Sequence, residues 1–413
     1  MKERSLKVLM MGGERSGKTS VLAGVFDAFL NGSLSTFLSI TDITQYETRE
    51  GKKVDSLVEK TNELVNMISS SFNKTILIDE HRTSSFVDYE VLIGNKKSKN
   101  NLSILFTDAN GEFYQTGKIH AEEIKNKVAS YDVFIIAIDT PSLMASREKN
   151  QSLCTESTAI AMNRIEDIHN FLAAIDDASG NNAKLVLFTP IKCEYWARRS
   201  QLDAVCARVQ EVYETSICAL SSHVGVEIDI VPVQTAGAIE FAYHSKPQLL
   251  ISADEVFPCH LLDNQLIHLS NGDEIALSNN DKIVPNPESV LFGNIIKPYT
   301  WYTVIENNYS PQNCEQLAFF ILEFLYKKII VLKKQTRAKQ HNVKKNLIRT
   351  TLSWVVAGIP GLSIYLLYKI VQSYMGKMSL NEIQGILDKL NSDGYIRKGH
   401  DGIMQLKTSN LDN

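Results

Sequence analysis

The stretch Gly12-Gly13-Glu14-Arg15-Ser16-Gly17-Lys18-Thr19 decides the fold that this sequence predicts. An apolar run at residues 6–11 precedes it, and a second apolar run at residues 21–26 follows it. A glycine, four further residues and then Gly-Lys-Thr, between a strand-like and a helix-like run, form the pattern of a phosphate-binding loop. The sequence therefore predicts a strand, a loop that holds a polyphosphate, and a helix that begins near Thr19.

The residue types of this loop suit a polyphosphate ligand. Glycines let the backbone approach the phosphates closely, so that N–H groups and the start of a helix converge on them. Lys18 is expected to reach the β- and γ-phosphates, and the Thr19 hydroxyl is expected to bind Mg²⁺. The predicted nucleotide-binding residues of this segment are Gly12, Gly13, Glu14, Arg15, Ser16, Gly17, Lys18, Thr19 and Ser20.

Composition predicts an ordinary cytoplasmic protein. At 413 residues the chain is long enough for more than one domain. Its 43 basic and 47 acidic residues give a net charge of −4, so no global field attracts nucleic acid. The six cysteines are scattered without metal-ligand spacing, which favours a reducing cytoplasm. Residues 1–4 lead into the first strand without an apolar signal region.

Strand and helix patterns alternate after the loop and predict an α/β fold. A hairpin is predicted from residues 86–93 and 102–106, and buried parallel strands are predicted at 133–139, 184–188 and 226–233. Helices are predicted at residues 54–71, 114–130, 158–175, 201–221 and 314–332. The expected architecture is that of a P-loop NTPase, a mostly parallel sheet with helices on both faces.

The segment Asp108-Ala109-Asn110-Gly111, which ends the second strand of the hairpin, resembles the Mg²⁺ and γ-phosphate sensor of GTPases. The resemblance implies that Asp108 holds the metal through water and that the Gly111 amide contacts the γ-phosphate. Thr83 lies before the hairpin at a distance that suits a switch threonine, which would close onto Mg²⁺. Thr75 and Thr107 remain alternatives for that role.

Two later segments stand where GTPases recognise the base. Lys192 and Glu194 follow the strand at 184–188, and the resemblance implies that the Glu194 carboxylate accepts guanine protons while the Lys192 stem covers the ring. Ile191 replaces the usual asparagine or threonine, which leaves an ATPase as an alternative. Thr235 and Ala236 follow the last strand, where a backbone N–H would support guanine.

The ordered set of motifs is similar to the translation-factor and Ras-like class of P-loop GTPases over roughly residues 5–335. The enlarged insert and the altered base motif are similar to divergent bacterial GTPase-like proteins of conflict and antiviral systems. The resemblance implies GTP and Mg²⁺ as ligands, with Lys18 and Glu112 as catalytic residues. Glu112 stands where Ras-like proteins carry the glutamine that orients the attacking water. Arg15 is a candidate to neutralise transition-state charge, with surface solvation as the alternative.

The domain boundaries follow changes in composition. Residues 1–335 are predicted to form the GTPase-like domain, with a helical insert at about 31–82 and a β-rich insertion at about 245–312. A basic linker is predicted at 336–350, and a helical, winged-helix-like domain at 351–413. The uncharged run at 350–368 either packs within that domain or makes a peripheral contact with the inner membrane, and nucleic acid is the least favoured partner.

The function that these patterns predict is a slow, Mg²⁺-dependent GTP-hydrolysing switch in the cytoplasm. Its partner is expected to be an effector or activating protein that contacts the switch loops and the C-terminal domain. A nucleotide-bound scaffold or membrane tether with little hydrolysis is the alternative. The sequence leaves the oligomeric state open.

Overall fold

The computed structural model describes most of the chain up to residue 325 and a short hairpin beyond it. The described residues are 5–14, 16–30, 39–47, 57–78, 87–94, 102–109, 128, 130–145, 153–179, 183–223, 225–252, 255–262, 266–278, 280–287, 291–292, 295–325, 396–398 and 404–406.

A seven-stranded sheet forms the centre of the fold. Its strands are β1 (Ser5–Gly12), β2 (Ser39–Glu47), β4 (Val87–Gly94), β5 (Leu102–Asp108), β6 (Val133–Asp139), β7 (Lys184–Ile191) and β8 (Val226–Ile230). The order is β2-β4-β5-β1-β6-β7-β8. The strands from β5 to β8 in this order are parallel, and β4 and β2 add an antiparallel edge. This mixed, mostly parallel sheet confirms the predicted P-loop NTPase-like α/β fold.

Helices cover both faces of the sheet. They are α1 (Lys18–Leu30), α2 (Leu57–Ser70), α3 (Thr140–Ala145), α4 (Glu156–Met162), α5 (Ile165–Ser179), α6 (Glu194–Arg198), α7 (Leu202–Val212) and α8 (Glu214–Ser221), followed by a helix that is described at 314–325. One core joins Val8 to Leu22 of α1 and to Leu317 of that last helix, which confirms the prediction that it packs on the sheet. A second core joins Leu9 to Phe171 of α5 on the opposite face.

Two predicted helices are each divided in the structure. The helix expected at 158–175 is α4 and α5, which are separated by Asn163 and Arg164, and Arg164 has a left-handed φ of 52°. The helix expected at 201–221 is α7 and α8, which meet at the buried Tyr213. Apolar residues continue on one face through both breaks, so a periodicity argument cannot detect them.

The predicted insert at 31–82 contains α2, close to the expected helix, and two strands that the sequence did not predict. β2 pairs antiparallel with β4, and its register shifts between Ile40 and Asp42. That irregularity breaks the two-residue alternation by which a strand is recognised. The second strand is β3 (Thr75–Leu77), which pairs with a strand more than two hundred residues later.

The later β-rich part of the chain contains strands β9 (Ile239–Ser245), β10 (Gln248–Ser252), β11 (Glu255–Leu261), β12 (Leu266–Leu269), β13 (Glu274–Ala276), β14 (Lys282–Pro285), β15 (Leu291–Phe292), β16 (Ile295–Ile296) and β17 (Tyr299–Val304). Five of them form a sheet in the order β13-β12-β11-β10-β14, and β3, β17 and β9 form another. The β12–β13 hairpin turns at Gly272, which has a φ of 85°, as the Asn271-Gly272 pair predicts. Through β3 and β17, the β-rich part is joined to the insert that precedes Thr83.

Strands β18 (Ile396–Lys398) and β19 (Met404–Leu406) pair antiparallel within the segment predicted to be winged-helix-like. The predicted helix at 114–130, except for two positions, and the uncharged run at 350–368 lie outside the described residues. Among the described residues, no helix is both long and apolar enough to cross a membrane.

Candidate functional site

The loop between β1 and α1 is held in close contact with its surroundings. Gly12 and Gly17 have φ angles of 145° and 104°, which residues with a side chain rarely adopt. A Cβ atom on Gly12 would lie 2.4 Å from the Ala137 carbonyl oxygen, and one on Gly13 would lie 2.0 Å from that of Met162. The glycines therefore let the loop fit between the end of β6 and the end of α4.

Lys18 lies over the interior of the loop. Its Nζ donates to the carbonyl oxygen of Gly13 at 2.9 Å and to that of Gly12 at 3.4 Å. Burial lowers the pKa of Lys18, while the nearby carboxylates of Asp108 and Glu14 raise it. The ammonium group thus lies against the loop backbone, where a phosphate oxygen would be an additional acceptor.

Ser16 contributes an unsatisfied polar atom to the same loop. Its side chain is 2% exposed, and its buried Oγ has no hydrogen-bond partner among the residues that the structure describes. Buried polar atoms are nearly always hydrogen-bonded, so an orphaned hydroxyl in a loop of converging amides fits a phosphate ligand. The loop residues present in the structure therefore fit the nucleotide that the sequence predicts.

Thr19 and Asp108 meet at the carboxyl ends of two neighbouring parallel strands. Thr19 Oγ1 donates to Asp108 Oδ2 at 2.7 Å, and Asp108 is 1% exposed. Strand pairing sets this approach, because Asp108 of β5 lies opposite Met10 of β1. A hydroxyl and a carboxylate oxygen side by side are hard donors of the kind that Mg²⁺ prefers, so these two residues fit the predicted metal.

The other residues predicted for the phosphate and metal lie outside the part of the chain that the structure describes. They are Arg15, Thr83, Gly111 and Glu112. The last predicted loop residue, Ser20, lies in the first turn of α1 and is partly exposed. The predicted roles of these residues stay predictions.

Lys192 lies beside the phosphate loop. It follows β7 in a left-handed conformation, with a φ of 59°, and its Nζ is 2.8 Å from Asp139 Oδ1. A Cβ on Gly17 would be 3.5 Å from Lys192 Cε, so the lysine stem reaches the loop. Its Nζ is also 5.6 Å from the ring centroid of Tyr302 on β17. The β-rich part of the chain thus contributes a ring to the surroundings of the site.

Asp139 is the anion at the end of β6. Burial by itself raises its pKa, but the charges of Lys192 and Lys297 and a hydrogen bond from Ser142 oppose burial and bring the pKa to about 2. Asp139 is therefore ionised at neutral pH and holds the Lys192 ammonium in place. Lys297 comes from the segment between β16 and β17, and it is 8% exposed.

Glu194 is bonded to the second predicted base-binding segment. It is the first residue of α6, is 1% exposed, and its Oε1 accepts from the backbone N–H groups of Ala236 at 2.8 Å and Gly237 at 3.2 Å. Burial raises the pKa of Glu194, and the backbone hydrogen bonds lower it. Thr235, the neighbour of Ala236, is also buried. The structure brings these residues together, and in this arrangement the carboxylate accepts from N–H groups in the segment that the resemblance assigns to guanine.

Sequence reasoning missed several residues around the site. Asp139 could have been found, because it ends a parallel strand next to the loop, where ligands bind in open α/β sheets. Asn163 Oδ1 accepts from the backbone N–H of Asp139 at 2.6 Å, and its Nδ2 donates to the Ala159 carbonyl at 3.1 Å. Asn163, Arg164 and Lys297 belong to no motif, and only the folded chain brings them to the loop.

The strand order, the glycine loop after β1 and the Thr19–Asp108 pair define the domain as a P-loop NTPase of GTPase-like arrangement. Residues 8–195 match the family model described as Double-GTPase 2. The match confirms the resemblance to divergent P-loop GTPases and supports GTP binding by this domain. It includes the phosphate loop and Asp108, and it ends just after Glu194. A search of the curated proteins finds no match to the chain.

Proposed function

We propose that the chain binds GTP together with Mg²⁺, hydrolyses it slowly and acts as a switch that controls a partner protein. The main observation in support of this proposal is the hydrogen bond from Thr19 Oγ1 to Asp108 Oδ2, 2.7 Å long, beside the buried Lys18. This arrangement provides a cation for the β- and γ-phosphates and two oxygen donors for the metal. Mg²⁺, when bound, would neutralise part of the phosphate charge.

The chain's own residues have distinct roles in this proposal. Lys18 holds the phosphates in place, and the amides of the loop orient them for attack by water. Glu112 positions that water, while Thr83 and Gly111 respond to the γ-phosphate. Hydrolysis is slow in the absence of a partner, because in this class a partner that contacts the switch loops completes the arrangement around the γ-phosphate.

The partner is proposed to be an effector or activating protein that contacts the switch loops and the C-terminal domain. β3 pairs with β17, and the chain then passes through Thr83 to β4 of the central sheet. A conformational change around Thr83 would therefore act on the segment between β3 and β4, whose first strand is paired with β17 of the β-rich part. The proposed setting is a bacterial conflict or defence system, which the resemblance to such GTPases supports. Peripheral contact with the inner membrane through residues 350–368 remains the alternative role of the C-terminal part.

The proposal is tested by nucleotide binding followed by turnover. Titration of the purified protein with GTP and with ATP, each with Mg²⁺ and with a chelator, should show Mg²⁺-dependent affinity for GTP. Phosphate release under single-turnover conditions should then show slow hydrolysis. Tight GTP binding without measurable phosphate release would reject the switch and favour the nucleotide-bound scaffold.

A second candidate is binding of purine nucleotides without a preference for guanine. It is favoured by the contact of Glu194 with the Ala236 and Gly237 N–H groups, because a carboxylate held there is not available to guanine. Equal affinities for GTP and ATP would support this candidate. A strong preference for GTP would show that guanine displaces the carboxylate from these amides or is recognised by other groups.

A further inference from the structure

The junction between α4 and α5 is in direct contact with the phosphate loop. The position of a Cβ on Gly13 is only 2.0 Å from the Met162 carbonyl oxygen and 3.7 Å from Asn163 Cα. Asn163 is fully buried and accepts a hydrogen bond from the backbone N–H of Asp139 at 2.6 Å. The junction is therefore fixed both to the loop and to the carboxyl end of β6.

Arg164 stands in this junction in an unusual backbone conformation. Its φ of 52° lies in the left-handed region, which is unfavourable for a residue with a side chain. Such conformations persist where the surrounding structure determines them, and they cluster at functional sites. The Arg164 backbone is determined here, because its N–H donates to Ala161 and its carbonyl oxygen accepts from Ile168.

The side chain of Arg164 is nearly buried and lies among carboxylates. It is 10% exposed, and its Nη1 contacts Asp167 Oδ2 at 3.4 Å, which is long for a charge-assisted bond. Burial lowers the pKa of Arg164, while Asp167 and Glu14 raise it. Glu14, a loop residue that is 6% exposed, therefore lies within electrostatic range of Arg164.

Glu14 adds a buried negative charge to the loop. A buried carboxylate in a phosphate-binding loop repels a triphosphate, and it also acts on the pKa of Lys18. Arg164 belongs to the junction between α4 and α5, so its guanidinium adds to the positive charge that Lys18 provides near Glu14. Its planar fork of donors also matches two phosphate oxygens, which an ammonium group does not.

We propose that Arg164 is a catalytic residue that this chain supplies in cis to the transferred phosphoryl group, an inference that rests on the proposed GTP hydrolysis. Water attacks the γ-phosphorus while the bond to the β–γ bridging oxygen breaks, and the electron pair leaves with GDP. The proton from water is released on formation of inorganic phosphate. The guanidinium exchanges its long contact with Asp167 for the oxygens on which charge accumulates, and it stabilises them in the transition state.

The test compares Arg164→Gly, Arg164→Lys and wild type. Glycine accepts a φ of 52° without strain, so Arg164→Gly removes the guanidinium and should keep the melting temperature of the wild type or raise it. Arg199→Ala is the matched control, since Arg199 is 42% exposed and is bonded to Glu240 away from the loop. Three quantities are measured: affinity for GTP and GDP, affinity for GDP with aluminium fluoride, and single-turnover hydrolysis.

We expect Arg164→Gly to bind GDP as the wild type does and to lose the gain in GDP affinity that aluminium fluoride produces. Its single-turnover rate should fall by about 10³-fold, the lower limit for loss of an arginine finger. Arg164→Lys should recover only part of both effects, and Arg199→Ala should resemble wild type.

Two results would overturn the inference while leaving nucleotide binding intact. One is an Arg164→Gly protein that hydrolyses GTP and responds to aluminium fluoride as the wild type does. The other is a wild type that binds GTP but shows neither turnover nor a response to aluminium fluoride. A wild type that fails to bind GTP would instead reject the proposed function itself, and this inference with it.

Discussion

Thr19 Oγ1 donates a hydrogen bond to Asp108 Oδ2 across 2.7 Å, although the two residues are 89 positions apart in the chain. Parallel pairing of β1 with β5 brings the carboxyl ends of the two strands to one edge of the sheet. After the intervening loop α1 begins at Lys18, so a helix N-terminus, the Thr19 hydroxyl and the Asp108 carboxylate lie at this edge. These are the groups that we propose to bind Mg²⁺ and the phosphates.

Replacing the carboxylate should separate metal-dependent from metal-independent nucleotide binding. Asp108→Asn keeps a side-chain oxygen for Thr19 but removes the charge that would hold Mg²⁺. We expect affinity for Mg²⁺ in the GTP complex to fall by about 10–100-fold, as for other residues that position a metal. Titration of Mg²⁺ into the GTP-bound protein measures it, with the exposed Asp273→Asn as control. An unchanged Mg²⁺ titration in Asp108→Asn would reject the metal role.

The crowding at Gly13 predicts a stability effect. An added Cβ would meet the Met162 carbonyl oxygen at 2.0 Å, and a backbone atom cannot move aside as a flexible side chain can. Gly13→Ala should therefore lower the free energy of unfolding by about 1–3 kcal/mol, as other overpacked sites do. Denaturant unfolding of both proteins measures the change. A variant as stable as wild type would show that the loop and the α4–α5 junction are not in fixed contact.

The ion pair of Asp139 and Lys192 predicts that the free energy of unfolding decreases at low pH. The folded-state pKa of Asp139 is about 2, below its ordinary value of 3.8, so the folded protein binds fewer protons than the unfolded chain between these values. Ionised Asp139 therefore contributes on the order of 2 kcal/mol to the free energy of unfolding. This contribution is complete above about pH 4 and is lost as the pH falls towards 2.

The free energy of unfolding is measured between pH 2 and 6 for wild type and for Asp139→Asn. The difference between the two proteins at each pH gives the contribution of the carboxylate. The difference should narrow as the pH falls, because the asparagine variant has no carboxylate to protonate. Lys192→Met should also weaken the dependence, since Lys192 Nζ is 2.8 Å from the carboxylate. A difference that stays constant across this range would show that Asp139 is not stabilised as an anion.

Glu194 predicts the outcome of a base-selectivity experiment. If guanine takes the carboxylate from the Ala236 and Gly237 amides, Glu194→Ala should lose the preference for GTP over ATP, because adenine lacks the matching donors. Glu194→Gln keeps an oxygen for Ala236 and serves as the control for local structure. The ratio of GTP to ATP affinity is the measurement. A folded Glu194→Ala protein with an undiminished ratio would show that other groups recognise the base.

The sequence was sufficient to predict the parts of the fold that depend on local patterns. The glycine loop, the β4–β5 hairpin and the buried strands β6 and β7 follow from spacing and composition. The break at Asn163 and Arg164 does not, because it depends on a hydrogen bond between Asn163 and β6 that exists only in the folded chain. The register shift near Ile40 likewise concealed β2.

The candidate site was predictable to a similar extent. Motif spacing predicted Lys18, Thr19 and Asp108 as site residues, and the structure brings Thr19 to Asp108. The contact of Glu194 with Ala236 joins two segments 42 positions apart, and no pattern in either segment indicates it. Lys297, between β16 and β17, acts electrostatically on Lys18 and Asp139, and no motif contains it.

The most direct test of the proposed GTP site compares the affinity of wild type and of Lys18→Ala for GTP, measured at equilibrium with Mg²⁺. Lys74→Ala is the matched control, because Lys74 is 43% exposed and pairs with Asp273 in the β-rich part. Wild type and Lys74→Ala should bind GTP alike, and Lys18→Ala, while still folded, should lose binding. GTP binding by Lys18→Ala as tight as that of wild type would contradict the proposed GTP site.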